Sequence, residues 1–291
     1  MAGTWVDLVE VGPRDGLQNE PRVVPTAVKV AMVNALGAAG LREIEVSAFV
    51  SPRWVPQLAD ADQVFAAIQR APGTCYSALV PNEHGLDRAL AAGVGRASVF
   101  TAASDTFNRR NVNTNTEGTF SRIGRVLGRC QALGLPSRGY VSCSFWCPYE
   151  GPVAVEQACL VARRLLDLGA EEVSMGDTIG KATAVEVERL LTALFAYVPP
   201  ARVALHLHDT FGQARANVVA AWRLGVRCFD ASVGGLGGCP YAPGAAGNVA
   251  TEAVVEALRD AGAQVRCDPA ALAAARAVLV PTLGPLGVGS S

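Results

Sequence analysis

Residues 202–233 read RVALHLHDTFGQARANVVAAWRLGVRCFDASV and contain one structural repeat followed by the start of the next. Two short apolar runs, Arg202–His208 and Cys228–Val233, enclose the segment Phe211–Leu224, which has the length of a helix and stops at Gly225. Short runs rich in aliphatic residues are typical of strands buried on both faces, and glycine commonly ends a helix. The stretch therefore predicts a strand, a helix and a second strand in succession.

The same alternation recurs along the chain. Thr26–Ala39 and Pro152–Leu168 are further helical segments, which stop at Gly40 and Gly169. Eight strand–helix repeats favour a closed ring of strands over an open sheet, so we expect an α/β protein with a TIM (β/α)8 barrel. The candidate strands are Val6–Val11, Leu41–Ser47, Thr74–Val80, Arg96–Thr101, Ser137–Cys143, Glu171–Gly176, Arg202–His208 and Cys228–Val233.

The residues beyond the eighth repeat predict an extra C-terminal helix. Asp268-Pro269 is an N-cap residue followed by proline at the first helical position, and it opens a helix to about Val280. The tail Pro281–Ser291 is rich in glycine and proline, so we expect it to be loosely ordered. With no linker evident, we expect a single catalytic domain over residues 1–291, with the barrel at about 5–262 and the helix and tail at 263–291.

Composition narrows the classes of function. The net charge is −1 and no cluster of basic residues is present, which argues against nucleic acid as the main partner. An acidic small molecule stays possible as a ligand. No apolar run reaches the roughly 18 residues that span a membrane. Met1–Glu10 has two acids and no base, unlike a targeting peptide. We therefore expect a soluble cytoplasmic protein, and scarce lysine beside abundant arginine and alanine suggests a bacterial source.

Most of the eight cysteines lie within apolar runs, and none is paired as CxxC, so we expect buried free thiols. Cys239 is the exception, because it lies in the loop Gly234–Asn248, which holds six glycines in fifteen residues. That much glycine predicts backbone that moves or approaches a ligand closely. A thiol there, with a pKa of about 8.5, is close enough to neutral to exchange a proton.

Polar residues collect where several of the strands end, and a TIM barrel has its active site at those ends. His206 and His208 are separated by one residue on a strand, so their imidazoles share a face. With a carboxylate such as Asp15, they predict a six-coordinate divalent cation, Mg²⁺ or Mn²⁺, rather than a thiolate zinc site. A pair of hydrogen-bonded core histidines is the other interpretation.

Arg14 and Asp15 follow the first strand in a glycine-flanked turn, which allows both side chains to point into the mouth of the barrel. An ordinary surface ion pair is the other interpretation of these two residues. Glu45 lies inside a buried apolar strand, where an isolated charge is too costly. It therefore needs a partner, and Arg14, one strand away, is the expected one.

Several motifs stand in order between residue 9 and about residue 252. They are 9–20 (VEVGPRDGLQNE), 49–57 (FVSPRWVPQ), 139–143 (GYVSC), 147–151 (CPYEG), 176–180 (GDTIG), 206–213 (HLHDTFGQ) and 234–248 (GGLGGCPYAPGAAGN). Together they resemble the motifs of the 3-hydroxy-3-methylglutaryl-CoA lyase family. Related carboligases usually have Gly-Glu-Gln where this chain has Gly16-Leu17-Gln18, and the Cys239 loop is characteristic of the lyases.

The resemblance implies a metal-dependent carbon–carbon lyase. The expected reaction is retro-Claisen cleavage of 3-hydroxy-3-methylglutaryl-CoA to acetyl-CoA and acetoacetate, as in leucine degradation and ketone-body formation. The resemblance also implies an acyl-CoA as the small-molecule partner and a homodimer. The metal ligands that it implies are Asp15, His206, His208 and Asn248.

The resemblance also implies roles for the other residues of these motifs. Arg14 would stabilise the oxygen of the developing enolate, because its guanidinium is a permanent charge. Cys239 would transfer a proton from the closing loop, and either Asp177 or His206 would take the proton of the substrate's hydroxyl. Glu45, Asp177 and Gln18 would orient Arg14, the metal site and the substrate, and Gln18 and Thr178 would bind the substrate.

Three alternatives stay open. The first is a lyase for a bulkier 3-hydroxy-3-carboxymethyl acyl-CoA, with Ser144-Phe145-Trp146 as the varied part of the pocket. The second is a Claisen carboligase of the isopropylmalate synthase type. The third is a metal-binding barrel without catalysis, which the presence of Arg14, Glu45 and Cys239 beside the ligands argues against.

Overall fold

The computed structural model describes residues 5–238, 247–284 and 286. Eight parallel strands form a ring in which each pairs with the next along the chain, and the last pairs with the first through Phe229 and Leu8. The ring is a closed TIM barrel. The strands of the protein are β1 (Trp5–Glu10), β2 (Glu43–Ala48), β3 (Cys75–Leu79), β4 (Arg96–Ala102), β5 (Ser137–Ser142), β6 (Trp146–Cys147), β7 (Gly151–Pro152), β8 (Glu172–Asp177), β9 (Val203–Leu207), β10 (Cys228–Ala231) and β11 (Gln264–Val265).

Three of these strands lie outside the ring. β6 and β7 form a short antiparallel hairpin after β5, and β11 pairs with the beginning of β1. Helices surround the ring, and most of them follow a barrel strand. They are α1 (Thr26–Gly37), α2 (Ala61–Ala67), α3 (Glu83–Ala91), α4 (Asp105–Val112), α5 (Thr116–Leu133), α6 (Val155–Asp167), α7 (Ala184–Phe195), α8 (Ala214–Arg223), α9 (Thr251–Asp260) and α10 (Pro269–Leu283).

Local sequence signals explain where the helices begin and end. The Asn115 side chain accepts a hydrogen bond from the Gly118 N–H at the start of α5, and α5 ends at Gly134, whose φ of 64° suits glycine. Thr183 and Glu186 form a reciprocal capping box at the start of α7. Such caps satisfy amide groups that the helix itself leaves free, and they fix where these two helices begin.

The barrel predicted from the sequence is confirmed, and each of its eight strands lies within two residues of its expected bounds. The expected end of the last helix is wrong, because α10 continues through Pro281 to Leu283. Proline removes one amide donor, but the Gly284 N–H donates to the Val280 carbonyl at 2.9 Å and completes the last turn. Leu279 is also fully buried against the core, which favours the helical conformation up to this point.

Apolar side chains fill the space between the strands and the helices. A continuous cluster extends from Val6 on β1 to Leu279 on α10, and it includes buried residues from most of the barrel strands and helices. The extra helix α10 therefore shares the core of the barrel. Burial of apolar surface is the main favourable contribution to folding, so this outer layer holds the ring of strands in place.

The interior of the ring carries buried charges beside a small apolar cluster. Arg138 on β5 is fully buried, and its Nη2 lies 2.5 Å from Asp230 Oδ1 on β10, a contact that crosses the barrel. Its Nε lies 3.0 Å from Glu172 Oε1 on β8. Below this pair, Arg96 Nη1 lies 2.9 Å from Glu43 Oε2 and 3.4 Å from Glu172 Oε1. Each of these buried charges thus has a partner of opposite sign, which it needs in a medium of low dielectric constant.

Two further expectations concern the cysteines and the membrane. The seven cysteines in the described part of the chain are all free, and six of them are buried, which confirms the expectation for these residues. Cys239 lies outside the described residues. Among the helices of the described ranges, none combines the length and the apolar character needed to cross a membrane.

We predict that Arg138→Met destabilises the protein by about 3–5 kcal/mol, because Asp230 and Glu172 lose the charge that compensates them in a buried place. The matched control is Arg125→Met, since Arg125 forms an exposed ion pair with Glu83 that should contribute less than about 1 kcal/mol. Urea unfolding followed by circular dichroism measures both values. Equal losses in the two variants would contradict a structural role for the interior charges.

Candidate metal and catalytic centre

The turn after β1 positions two functional side chains at once. Residues Gly12–Gly16 form one turn of π-helix, and the N–H groups of Arg14, Asp15 and Gly16 all donate to the Val11 carbonyl, at 3.1, 2.7 and 3.1 Å. This compact turn directs two consecutive side chains to the same region, which an extended strand would send to opposite faces. The expectation that Arg14 and Asp15 both point into the mouth of the barrel is confirmed.

Arg14 is held on three sides. Its Nε donates to Glu45 Oε2 and its Nη1 donates to Asp15 Oδ1, and its Cζ lies 5.3 Å from the centre of the Tyr140 ring. Burial alone would disfavour the charged form, but the two carboxylates keep the pKa of Arg14 above its ordinary value. The predicted pairing of Glu45 with Arg14 is confirmed. The result is a permanent positive charge in a fixed place at the mouth.

The two histidines extend from one strand toward Asp15. His206 lies on β9 with Nε2 3.7 Å from Asp15 Oδ2, and the His208 ring centre lies 5.4 Å from that of His206. Asn248 forms a β-bridge with His208 and donates from Nδ2 to Asp15 Oδ2 at 3.0 Å. The structure thus brings together the four residues that the sequence indicated as metal ligands.

The chemistry of this group fits a cation. One donor atom each from Asp15, His206 and His208 lies within 4.8 Å of the others. Burial, with a smaller contribution from His206, lowers the pKa of His208 to about 4, so its imidazole is neutral near pH 7. Its Nδ1 is buried and has no hydrogen-bond partner among the described residues. Burial would raise the pKa of Asp15, but Arg14 and the histidines hold it well below its usual value.

The balance of charge inside the barrel also fits a divalent ion. Five carboxylates face three guanidinium groups, which leaves two negative charges to be compensated. Oxygen and neutral nitrogen donors in this combination suit Mg²⁺, Mn²⁺ and similar ions rather than a thiolate-bound metal. The carboxylates are those of Asp15, Glu43, Glu45, Glu172 and Asp230, and the guanidinium groups are those of Arg14, Arg96 and Arg138.

Asp177 is positioned differently from the ligand group. In the register between β8 and β9 it pairs with Leu207, while Gly176 pairs with His206, so Asp177 belongs to the strand face opposite to that of His206. Its two carboxylate oxygens accept the N–H groups of Lys181 and Ala182, at 3.1 and 2.9 Å. Burial raises the pKa of Asp177 to about 6. The geometry assigns it to the turn that follows β8.

The other expected site residues are placed as follows. The Thr178 hydroxyl accepts the Cys143 N–H at 2.7 Å and so joins the ends of β5 and β8. Gln18 is half-buried just beyond Asp15, and its side chain makes no hydrogen bond to the described residues. Cys239, expected in this site, lies outside the described residues, so its position is not part of this geometry.

Two residues that contact the site were not singled out from the sequence. Tyr140 on β5 lies beneath Arg14, and its ring meets that of His206 edge-on, with the centres 5.9 Å apart. Asp230 on β10 has its Oδ2 3.3 Å from His206 Nδ1. A lone carboxylate within the apolar run Cys228–Val233 is the same signal that identified Glu45, so Asp230 could have been found in this way.

The two ends of the glycine-rich segment are held together beside the ligands. The Asp209 N–H donates to the Gly247 carbonyl at 2.7 Å, and a Cβ added to Gly247 would lie 2.1 Å from the Gly237 carbonyl oxygen. A Cβ on Gly237 would in turn lie 3.0 Å from both Asn248 Nδ2 and the Gly16 Cα. Glycine is required here because two backbones and a ligand side chain approach within contact distance.

The chain is similar to known proteins over most of its length. The family model described as HMGL-like matches residues 5–279. The chain is 49% identical over 257 residues to the mitochondrial hydroxymethylglutaryl-CoA lyase of Rattus norvegicus, which covers 88% of this chain and 79% of that protein. The HMG-CoA lyase structure from Brucella melitensis has a TM-score of 0.94 and 46% identity, and the match covers 96% of this chain and 99% of that one.

A second solved structure was determined with ligands. It is an HMG-CoA lyase from Acinetobacter baumannii in complex with coenzyme A and 3-methylmalate. Its TM-score to this chain is 0.91 at 35% identity, and the match covers 99% of this chain and 93% of that one. The similarity therefore extends over the whole barrel and the turns at its mouth.

We predict that Gly247→Ala destabilises the protein by about 1–3 kcal/mol, because the new methyl group must push Gly237 away. Gly238→Ala is the matched control, since a Cβ there has no neighbour within 4 Å among the described residues. Differential scanning calorimetry of both variants measures the shift in unfolding temperature. A shift of the same size in both would show that the close approach at Gly247 is unimportant.

Proposed function

This chain belongs to the HMGL-like family, and we propose that it cleaves 3-hydroxy-3-methylglutaryl-CoA to acetyl-CoA and acetoacetate. It is a carbon–carbon lyase. The observation that carries the proposal is the meeting of Arg14 with Asp15, His206, His208 and Asn248 at the mouth of the barrel. A fixed positive charge beside a cation site is what the retro-Claisen reaction needs, because a hydroxyl must lose its proton while an enolate forms.

Asp15, His206, His208 and Asn248 would hold the cation, for which we propose Mg²⁺ or Mn²⁺. The lyases of this family depend on a metal in general. Asp15 would contribute a carboxylate oxygen, Asn248 its amide oxygen, and the histidines one neutral nitrogen each. When bound, the cation supplies Lewis-acid polarisation of the substrate's tertiary hydroxyl, which lowers the pKa of that group.

Arg14 is the residue that we assign to the enolate. Its Nε and Nη1 donate to Glu45 and Asp15, which leaves Nη2 with no hydrogen bond to the described residues and thus able to donate to a ligand. When the carbon–carbon bond breaks, its electron pair moves toward the thioester carbonyl oxygen as the enolate forms. A guanidinium that is already oriented stabilises that charge without the cost of reorganisation.

The reaction needs two proton transfers, one from the substrate's hydroxyl and one to the enolate carbon. His206 is on the interior face beside Asp15, so we place it, as a metal ligand, rather than Asp177, beside the substrate's hydroxyl, whose proton would pass to a water at the mouth. Asp177 and Thr178 would hold the turns at the ends of β8 and β5. We assign protonation of the enolate carbon to Cys239, on the support that Gly237, two residues earlier in the chain, closely approaches Asn248.

We further propose that the enzyme acts as a homodimer in the cytoplasm, with residues 1–291 as one catalytic domain. The free cysteines of the described part support a reducing compartment, and the core shared between the barrel and α10 supports a single domain. Sedimentation velocity at micromolar concentration tests the dimer. A single species with the mass of one chain would contradict it.

Chelator-sensitive turnover is the main prediction. We expect acetoacetate and acetyl-CoA to form from 3-hydroxy-3-methylglutaryl-CoA in the presence of Mg²⁺ or Mn²⁺, and EDTA to abolish the reaction because the ligand group then lacks its cation. His208→Ala should lose both activity and Mn²⁺ affinity. His84→Ala, which changes the exposed third histidine on α3, should retain both.

The same assay separates the alternative functions. Faster cleavage of an acyl-CoA with a longer group in place of the methyl would assign the chain to the bulkier substrates. Release of free thiol from acetyl-CoA with a 2-oxo acid would assign it to the carboligases. Mn²⁺ binding without turnover of any of these would contradict the proposed activity while leaving the metal site intact.

Arg14→Lys tests the enolate assignment. An ammonium group cannot keep the hydrogen bonds to Glu45 and Asp15 and still donate to the substrate in the same plane. We expect kcat to fall by about 10²–10³-fold, with Mn²⁺ affinity changed far less. Steady-state kinetics and a metal titration measure the two effects. An unchanged kcat would remove Arg14 from the reaction.

A further inference from the structure

We infer that Asp230 is a positioning residue that fixes the ring orientation and the tautomer of His206. The inference rests on the proposed metal role of His206, and it adds a neighbouring residue that acts through this ligand. Asp230 lies on β10, next to β9 in the ring, and its partner in the register is His206 itself. The carboxylate and the imidazole therefore project from neighbouring strands to the same interior face.

The two nitrogens of the His206 imidazole face different neighbours. Asp230 Oδ2 lies 3.3 Å from Nδ1, while Nε2 is directed toward Asp15 Oδ2 at 3.7 Å. Nδ1 is buried and makes no well-aligned hydrogen bond to any described residue, so the Asp230 carboxylate is its one ion-pair neighbour in the described part of the chain. A proton on Nδ1 is thus stabilised by the carboxylate, and the lone pair of Nε2 is left free to face the cation site.

Asp230 is itself held so that it cannot turn away. Its Oδ1 pairs with Arg138 Nη2 at 2.5 Å, and its Oδ2 accepts the Ser174 hydroxyl at 2.7 Å. Both partners are fully buried inside the barrel. This arrangement leaves the Oδ2 oxygen in one position relative to His206, and the interior ion pairs thereby act on the geometry of the metal ligand.

Asp230→Asn tests the inference because the direction of its amide is dictated by its neighbours. Arg138 requires an acceptor, so the amide oxygen should face Arg138 and the NH₂ group should take the place of Oδ2. A donor would then face Nδ1, which favours the tautomer that carries its proton on Nε2. That proton occupies the lone pair that the cation needs.

Two measurements on the full chain test this, with Mn²⁺ alone as the probe. Electron paramagnetic resonance of free Mn²⁺ gives the dissociation constant, which we expect to rise by about 10–100-fold in Asp230→Asn. Nitrogen-15 NMR of the metal-free, histidine-labelled protein reports the tautomer directly. The chain has three histidines, so His84→Ala and His208→Ala assign the signals. We expect the proton to move from Nδ1 to Nε2 of His206 in the variant.

Glu172→Gln is the matched control. It removes the same charge from the same partner, Arg138, at a contact of 3.0 Å. Glu172 lies on the neighbouring strand β8, but four residues before Gly176, the register partner of His206, and it forms no hydrogen bond or ion pair with His206. We expect Mn²⁺ affinity and the His206 tautomer to stay close to those of the unmodified protein. An equal loss of affinity in both variants would show that the interior charge as a whole matters and would overturn the specific role of Asp230.

The remaining outcomes also decide the question. If Asp230→Asn does not fold, Ser174→Ala removes only the hydroxyl that holds Oδ2, and a smaller loss of Mn²⁺ affinity supports the inference. Unchanged affinity in every folded variant overturns it. If the unmodified protein itself fails to bind Mn²⁺, the proposed metal role is wrong, and the NMR signal alone then decides whether Asp230 sets the tautomer.

Discussion

Compensation of buried charge is the constraint on which this structure depends. Arg138 has no access to solvent, and it persists as a cation only because Asp230 and Glu172 lie against it. Asp230 contacts His206, and His206 approaches Asp15, which pairs with Arg14. A series of polar contacts thus runs from the lower part of the barrel to its mouth. The charged members at its two ends, Arg138 with Asp230 and Asp15 with Arg14, stay in place because each would otherwise lose the charge that compensates it.

The apolar layer outside the ring makes this interior possible. The outer faces of the strands pack against helices, and that packing holds the strands in the ring. The inner faces are then free to carry polar groups, provided that their charges balance. Barrel interiors are commonly filled by branched apolar residues, and here an ionic layer takes the place of part of them. Carboxylates outnumber guanidinium groups by two in this interior, and a bound divalent cation would compensate the two negative charges that remain.

The sequence predicted the features that depend on local pattern. Short apolar runs located the eight strands, the spacing of His206 and His208 placed two imidazoles on one face, and the buried carboxylate of Glu45 called for Arg14. Features that depend on register could not be found in this way. The face on which Asp177 lies follows from its pairing with Leu207, and the partnership of Asp230 with His206 follows from the order of strands in a closed ring.

The ionic layer inside the barrel has a consequence for molecular traffic. Glu43, Arg96, Arg138 and Glu172 are each at most 5% exposed, so in the described part of the chain they seal the lower end of the ring. The interior of the ring is therefore closed at this end. A molecule that reaches the imidazoles must come through the mouth, and whatever is made there must leave by the same route. Arrival and departure therefore share one passage.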